Sequence, residues 1–298
     1  MTGNPQKYVV RLNCLELVQI KMRHLLVLIG TLLVFQLPAQ TRIVTAGSSS
    51  SEIVCELGLC ENIVATDRTS LFPAKLQTVP SIGYRTGIGA EGIISQNPDL
   101  IILESGYVKE EVIAQLSATS IHVLVVDEER TFDGTKTRIR QIATALAKEE
   151  EGEALIRRLS AELETLAAEI AETTDRPTVL CVMARGQGNV QVAGGRSAFT
   201  LVDIAGATNA LPDMEGYRPI NAESLIQANP DYILFFESGL QSIGGVDGAL
   251  ALPGVAQTTA GKERQIIAID GVKLTNWGPR LPEAARELFE KTHPSNQD

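Results

Sequence analysis

The sequence predicts an α/β protein of two similar lobes, each built on a mainly parallel β-sheet and joined by a single long α-helix. Three observations carry this prediction. Short, continuously apolar segments alternate with amphipathic ones along most of the 298 residues. One unusually long amphipathic segment interrupts the alternation near the middle of the chain. The phrase AEGIISQNPDLIILESG, from Ala90 to Gly106, returns as AESLIQANPDYILFFESG, from Ala222 to Gly239, on the other side of that segment.

Residues 1–40 have the composition of a signal peptide, and Met22 is the expected true start. From Met22 a basic beginning is followed by an apolar run and then by Pro38-Ala39-Gln40. The run is shorter than the ~20 residues that a spanning helix needs, which favours a cleaved signal over a membrane anchor. Because no cysteine follows the run at a lipoprotein cleavage position, we expect a free, exported protein.

The chain is acidic, with a formal net charge of −10. Removing residues 1–40 takes away Lys7, Arg11, Lys21 and Arg23 but only one acid, Glu16, so the exported part is more acidic still. A negative field repels nucleic acid and anionic lipid, and we expect neither as a partner.

Residues 41–147 are predicted to form the N-terminal lobe. Its expected strands are 42–47, 62–67, 99–105 and 122–127, and its expected helices are 48–59, 90–97 and 109–119. The strands are continuously apolar, as strands buried on both faces tend to be. Alternation of such strands with helices predicts a Rossmann-like parallel sheet with right-handed crossovers.

Residues 148–175 are predicted to form the linking helix and residues 176–298 the C-terminal lobe. In the linking helix Leu155, Leu159 and Leu163 begin an apolar series at spacings of three and four. The expected strands of the second lobe are 178–184, 231–238 and 265–270, and its expected helices are 197–206, 222–229 and 279–292. A second echo, between residues 47–64 and 194–211, favours two homologous halves over chance similarity.

Three cysteines follow the predicted signal: Cys55, Cys60 and Cys181. An odd number leaves at least one free thiol. Cys55 and Cys60 could form a disulfide only if Gly58 breaks the helix between them, and the pattern favours buried thiols instead. No CxxC spacing indicates a metal site.

The predicted ligand site lies beyond the carboxyl ends of the strands, where doubly wound sheets bind their ligands. The loops there carry four arginines that match carboxylates bidentately: Arg68, Arg85, Arg185 and Arg218. Each arginine alone fits a solvated surface position, but four at strand ends of an acidic protein favour binding. The same loops hold Phe72, Tyr84 and Tyr217.

Catalysis finds little support in the sequence. The three histidines, His24, His122 and His293, accompany no Gly-x-Ser-x-Gly elbow, P-loop or His-Glu-x-x-His motif. A nucleophile without a nearby base does not make an enzyme. The sequence therefore favours a binding protein with no cofactor of its own.

The phrases VTAGSSSSEIVCELGL, ATDRTSLFPA, VPSIGYRTGIGAEGIISQNPDLII and GPRLPEAARELF occur in this order. With them, residues 42–293 resemble the class III periplasmic substrate-binding proteins of ABC importers, the iron-siderophore, cobalamin and heme group, and within it the hemin-binding proteins. The resemblance implies a periplasmic monomer that delivers its ligand to a permease dimer with ATPase subunits. It also assigns Glu91 and Glu223 to docking on permease arginines. The alternative is two ordinary acids favoured by helix dipoles, but their duplication favours docking.

The resemblance weakens at the ligand. Hemin-binding relatives place an iron-coordinating tyrosine before a proline after the second strand, where this chain has Phe72, and some add a histidine where it has Arg185. The resemblance then implies heme held by stacking on Phe72 and Tyr84 and by propionate pairing with Arg85 and Arg185. Possible substitute iron ligands are Tyr84, Tyr107, Tyr217, Met183 and Met214. Another tetrapyrrole, cobalamin or a ferric siderophore stays open as the ligand, as does an exported α/β enzyme that reuses the fold.

Overall fold

The computed structural model describes residues 41–127, 129–195, 201–219 and 221–294. The predicted signal peptide over 1–40 and the first residues of the predicted helix over 197–206 lie outside these ranges. No helix within them is both long enough and apolar enough to cross a membrane.

The first lobe contains a four-stranded, all-parallel sheet in the order β2-β1-β3-β4. Its strands are β1 (Ile43–Ala46), β2 (Ile63–Thr66), β3 (Leu100–Glu104) and β4 (His122–Val126). Its helices are α1 (Ser48–Glu56), α2 (Ala90–Ile94), α3 (Glu110–Ser117) and α4 (Phe132–Ala145). Every residue of β1 and β3 is buried, as their unbroken apolar runs predict.

A single helix of 24 residues, α5 (Glu149–Glu172), follows the first lobe. Three glutamates in its first turn match the positive end of the helix dipole. The apolar face of this helix packs into two hydrophobic cores. Leu155 and Leu159 lie in the core of the first lobe, whereas Leu166 lies in a core of the second lobe. The helix is therefore anchored in both lobes and braces them.

The second lobe contains a six-stranded mixed sheet in the order β10-β9-β5-β6-β8, with β7 pairing β5. Its strands are β5 (Thr178–Ala184), β6 (Val190–Ala193), β7 (Thr208–Asn209), β8 (Tyr217–Pro219), β9 (Tyr232–Phe236) and β10 (Ile266–Ile269). Its helices are α6 (Leu201–Ile204), α7 (Ala222–Ala228), α8 (Glu237–Ser242), α9 (Gly245–Leu250), α10 (Thr259–Lys262), α11 (Gly271–Thr275) and α12 (Leu281–Thr292). The sequence did not predict β6 and β8, the antiparallel strands.

Cys55 and Cys60 form a disulfide, so the expectation of two buried thiols is wrong. Helix α1 ends at Glu56, and Gly58 turns the chain with a φ of +82°. Because glycine adopts this left-handed conformation without strain, the helix breaks between the two cysteines and lets them meet. Cys181 is free and buried in the second lobe.

Candidate functional site

The loops at the carboxyl ends of the two sheets meet at Phe72 and Arg280. Phe72 follows β2 of the first lobe, and Arg280 precedes α12 of the second. The Arg280 guanidinium carbon lies 4.3 Å from the centroid of the Phe72 ring. The strand ends of both lobes therefore face one another, as a ligand site between lobes requires.

A buried ion pair joins the lobes beside this contact. Arg280 donates to both carboxylate oxygens of Glu52 in α1, with Nη2 to Oε1 at 2.6 Å and Nε to Oε2 at 3.1 Å. Asn276 donates its Nδ2 to Oε1 at 2.9 Å. Burial raises the pKa of Glu52 while Arg280 and Asn276 act against that rise by stabilising the carboxylate. The bidentate geometry fixes the direction in which the guanidinium faces Phe72.

A second contact between the lobes is made by the carbonyl of Trp277. It accepts hydrogen bonds from Thr135 Oγ1 at 2.8 Å and Arg138 Nη1 at 3.1 Å, both in α4. Arg138 is almost fully buried and also donates to Ser49 Oγ at 2.8 Å. The loop before α12 is thus held against two helices of the first lobe.

Asp67 organises the loops that follow β1, β2 and β3. Its Oδ1 accepts from the Gly47 amide at 3.0 Å and from Ser70 Oγ at 2.7 Å. Its Oδ2 accepts from the Thr69 amide at 2.7 Å and from the Tyr107 hydroxyl at 2.5 Å. One buried carboxylate therefore fixes the loop that ends in Phe72.

Arg85 lies over the ring of Tyr107. Its guanidinium carbon is 4.9 Å from the Tyr107 centroid and 6.0 Å from that of Tyr84, within the range of a cation–π interaction. Burial, followed by the charge of Asp67 and its hydrogen bond, raises the pKa of Tyr107. The Tyr107 hydroxyl is therefore held protonated as a donor to Asp67.

All seven ligand-binding residues predicted from the sequence are exposed: Arg68, Phe72, Tyr84, Arg85, Arg185, Tyr217 and Arg218. The structure groups Tyr84 with Arg85. The backbone amide of Arg68 donates a hydrogen bond to the Gly83 carbonyl at 2.8 Å, which joins the loop of Arg68 to that of Tyr84 and Arg85. Arg185 follows β5, and Tyr217 and Arg218 lie in β8. Their contact with a ligand stays a prediction.

Sequence reasoning missed Glu52 and Asp67, which hold the loops of the candidate site in place, but it did assign the loop 276–280, which ends at Arg280, to the predicted ligand site. Arg280 stands in a loop after a predicted strand, which was the available signal for it. Glu52 lies within a helix and Asp67 at the end of a strand, and only their tertiary partners reveal their roles.

A pocket of about 470 Å³ lies within the second lobe, between its sheet and α7. It is lined by Leu180, Val192, Leu211, Met214, Arg218, Pro219, Asn221, Ser224 and Leu225. No first-lobe residue lines it, so it is separate from the contact of Phe72 with Arg280. Arg218 belongs to both this pocket and the predicted ligand set.

The buried carboxyl of Glu104 lies directly behind the loop at Gly47. The amide and the hydroxyl of Ser50 donate to its Oε1 at 2.9 and 3.1 Å. Burial raises the pKa of Glu104 above the ordinary 4.5, and the charge of Asp67 adds to the rise, whereas Arg138 and Ser50 oppose it.

We expect Glu104 to make unfolding dependent on pH. Because its folded pKa is raised, the folded state holds the proton more tightly than the unfolded chain, and this group lowers stability as pH rises from 4.5 through the folded value. Glu104→Gln keeps an oxygen for Ser50 and removes the titration. Urea unfolding from pH 4 to 8 should show the stability of Glu104→Gln relative to wild type increasing with pH; a constant difference contradicts the assignment.

Residues 43–272 match the family model described as periplasmic binding protein. The chain belongs to the periplasmic binding protein family. A solved structure, the periplasmic heme-binding protein RhuT from Roseiflexus sp. RS-1 in apo form, is 34% identical with a TM-score of 0.82. The match covers 86% of this chain and 98% of RhuT.

Two curated relatives extend the comparison. The uncharacterized ABC transporter substrate-binding lipoprotein YvrC of Bacillus subtilis is 25% identical over 263 residues, 85% of this chain and 80% of YvrC. The vitamin B12-binding protein of Yersinia pseudotuberculosis is 25% identical over 281 residues, 90% of this chain and 92% of that protein.

The two lobes and the single bracing helix place this periplasmic binding protein in class III, which confirms the predicted fold. It is an ABC transporter substrate-binding protein. The expectation that the chain is not an enzyme is confirmed, since the family binds its substrates without catalysis.

The two glutamates assigned to docking are exposed, and the two described histidines lie away from the candidate ligand site. Glu91 and Glu223 are exposed in the first turns of α2 and α7. His122 is exposed at the first residue of β4, the end of the sheet away from the site, and His293 stacks on Phe289 after α12. Within the described ranges no three His, Cys, Asp or Glu side chains are grouped to hold a metal ion.

Proposed function

We propose that this protein binds heme between its two lobes in the periplasm, after export by a cleaved signal peptide, and delivers it to the permease dimer of an ABC importer through Glu91 and Glu223. The observation that carries the proposal is the pairing of aromatic rings with guanidinium groups at the strand ends. Phe72 lies under Arg280, and Tyr84 and Tyr107 lie beside Arg85. The 34% identity to heme-binding RhuT supports it.

The chemistry of these residues suits a porphyrin. Its flat apolar face stacks on exposed rings such as Phe72 and Tyr84. Its propionates pair with guanidinium groups, and among the described residues no ion pair is formed by Arg68, Arg85, Arg185 or Arg218. Binding therefore combines stacking with two charge-assisted contacts.

The iron contributes little to this mode of binding. Phe72 has no atom that can ligate iron, and the Tyr107 hydroxyl is already donated to Asp67. Both histidines of the described chain lie away from the site. We therefore expect affinity to come from the macrocycle and its carboxylates.

Titration of the purified apo-protein with hemin tests the proposal. The only tryptophan, Trp277, is 4% exposed beside the contact between the lobes, and its fluorescence should be quenched with a Kd of about 1 μM or tighter. Metal-free protoporphyrin IX should bind within about 10-fold of hemin. Arg85→Ala should weaken hemin binding about 10-fold, whereas Arg157→Ala, exposed on α5, should not.

Two outcomes count against parts of this proposal. Absence of quenching and of a Soret change with hemin excludes heme as the ligand. If the protein binds hemin at least 100-fold more tightly than protoporphyrin IX, recognition depends on the iron. The variants Tyr84→Phe and Tyr217→Phe then test which tyrosine ligates it.

Cobalamin is the second candidate ligand, favoured by the 25% identity to a vitamin B12-binding protein across 92% of its length. Cyanocobalamin that binds more tightly than hemin in the same titration establishes this alternative.

A further inference from the structure

Two exposed isoleucines occupy the same position in the two repeated helices. Within the described residues seven large hydrophobic side chains are exposed. Leu71, Phe72, Tyr84 and Tyr217 belong to the loops and strand end around the ligand site, and Val125 lies on the edge strand β4. The remaining two, Ile94 and Ile226, are 38% and 44% exposed.

In both repeated helices the isoleucine directly follows a buried apolar residue. Ile94 follows the fully buried Ile93 in α2, and Ile226 follows the buried Leu225 in α7. Successive helical residues point about 100° apart, so one member of each pair completes the core and the other faces outward. The buried member completes the core, whereas the outward isoleucine leaves 38% (Ile94) or 44% (Ile226) of its surface exposed to solvent.

Each isoleucine has a carboxylate three residues before it, Glu91 for Ile94 and Glu223 for Ile226. Residues three apart are neighbours on a helix surface. Both glutamates are exposed, and neither forms an ion pair with another described residue. We call each combination an acid–isoleucine patch: Glu91 with Ile94, and Glu223 with Ile226.

We propose that Ile94 and Ile226 extend the permease contact proposed for Glu91 and Glu223, each isoleucine entering an apolar pocket of the permease dimer beside the cationic side chain that pairs with the neighbouring glutamate. The inference rests on the proposed delivery function. Two like patches on homologous lobes fit a partner that presents the same site twice, as a two-fold dimer does. The unpaired carboxylates match a basic partner and speed the encounter, while the isoleucines, once buried in the partner, slow dissociation.

The test measures binding of the hemin-loaded protein to the importer's permease–ATPase complex in lipid nanodiscs. Ile94→Ser/Ile226→Ser should raise the Kd about 10-fold or more, mainly through faster dissociation that depends little on salt. Glu91→Gln/Glu223→Gln should slow association, and this effect should shrink as salt increases. Val125→Ser, which removes an aliphatic side chain of similar exposure (39%), should leave the Kd unchanged.

Quenching of Trp277 fluorescence by hemin is measured for every variant and should be unchanged. This measurement distinguishes a failure of permease docking from a failure of hemin binding. A Kd for Ile94→Ser/Ile226→Ser within 2-fold of wild type and Val125→Ser overturns the docking role of the isoleucines. Wild-type protein that fails to bind the complex overturns delivery and docking together. A wild-type dimer that the isoleucine variant dissociates in sedimentation identifies a second copy of this chain as the occupant and likewise overturns the proposal.

Discussion

Glu52→Ala is expected to lower the free energy of unfolding by about 3–5 kcal/mol. Glu52 is 2% exposed, and the variant leaves the Arg280 guanidinium largely buried without its carboxylate. Removing one member of a buried pair is more damaging than removing both, because the remaining charge has lost water as well as its partner. The effect should appear as a lower urea midpoint and a Tm decrease of about 10 °C.

The matched control for Glu52→Ala is Glu56→Ala, one turn later in α1. Glu56 pairs with Arg158 at 2.7 Å, but both side chains are well exposed, and we expect a loss of less than about 1 kcal/mol. The double variant Glu52→Ala/Arg280→Ala should lose less stability than the sum of its single variants. Equal losses for Glu52→Ala and Glu56→Ala contradict a structural role for the ion pair.

Gly47→Ala is expected to destabilise the first lobe by about 2–5 kcal/mol. Gly47 has a φ of +121°, a conformation that other residues rarely adopt. A Cβ atom there overlaps the carboxyl group of Glu104, which is held by Ser50. The added methyl therefore combines backbone strain with displacement of a buried carboxyl at the edge of the proposed ligand site.

Gly58→Ala separates these two contributions. Gly58 also has a positive φ, +82°, but a Cβ atom there meets nothing within 4 Å. We expect it to lose only about 1 kcal/mol from backbone strain. Trp277 fluorescence during urea unfolding measures both variants, and a Gly47→Ala loss no larger than that of Gly58→Ala would show that the close approach to Glu104 is not limiting.

The strands and the linking helix were predictable because their signal is local. Mainly apolar runs identified β1 to β4, β5, β9 and β10, as is typical of strands in a parallel sheet. Of these, β1 and β3 are buried along their whole length, whereas the edge strand β4 is partly exposed. Leucines at spacings of three and four identified α5 to within one residue of its start and three residues of its end. β6 and β8 escaped prediction because Gln191 interrupts the apolar residues of β6 and all three residues of β8 are exposed.

Equal sequence did not mean equal environment in the repeated Glu-Ser-Gly. Glu104 is buried against Ser50 at the end of β3, whereas Glu237 is exposed at the start of α8. The difference arises from the helices and loops that pack around the end of each strand. The repeated Glu-Ser-Gly sequence does not specify this packing. The Cys55–Cys60 disulfide was missed for a local reason: the helix was expected to run over 48–59, whereas it ends at Glu56 and the chain turns at Gly58.

The sequence by itself determined the two-lobe fold and the long brace, and it predicted the loops of the proposed ligand site, because apolar periodicity and duplication are properties of neighbouring residues. Only the tertiary structure decided that Glu52, Arg280 and Phe72 meet, although more than 200 residues separate Glu52 from Arg280. Such contacts depend on how two separately encoded lobes approach one another. The apolar periodicity of the sequence within either lobe does not specify how the two lobes pack against each other.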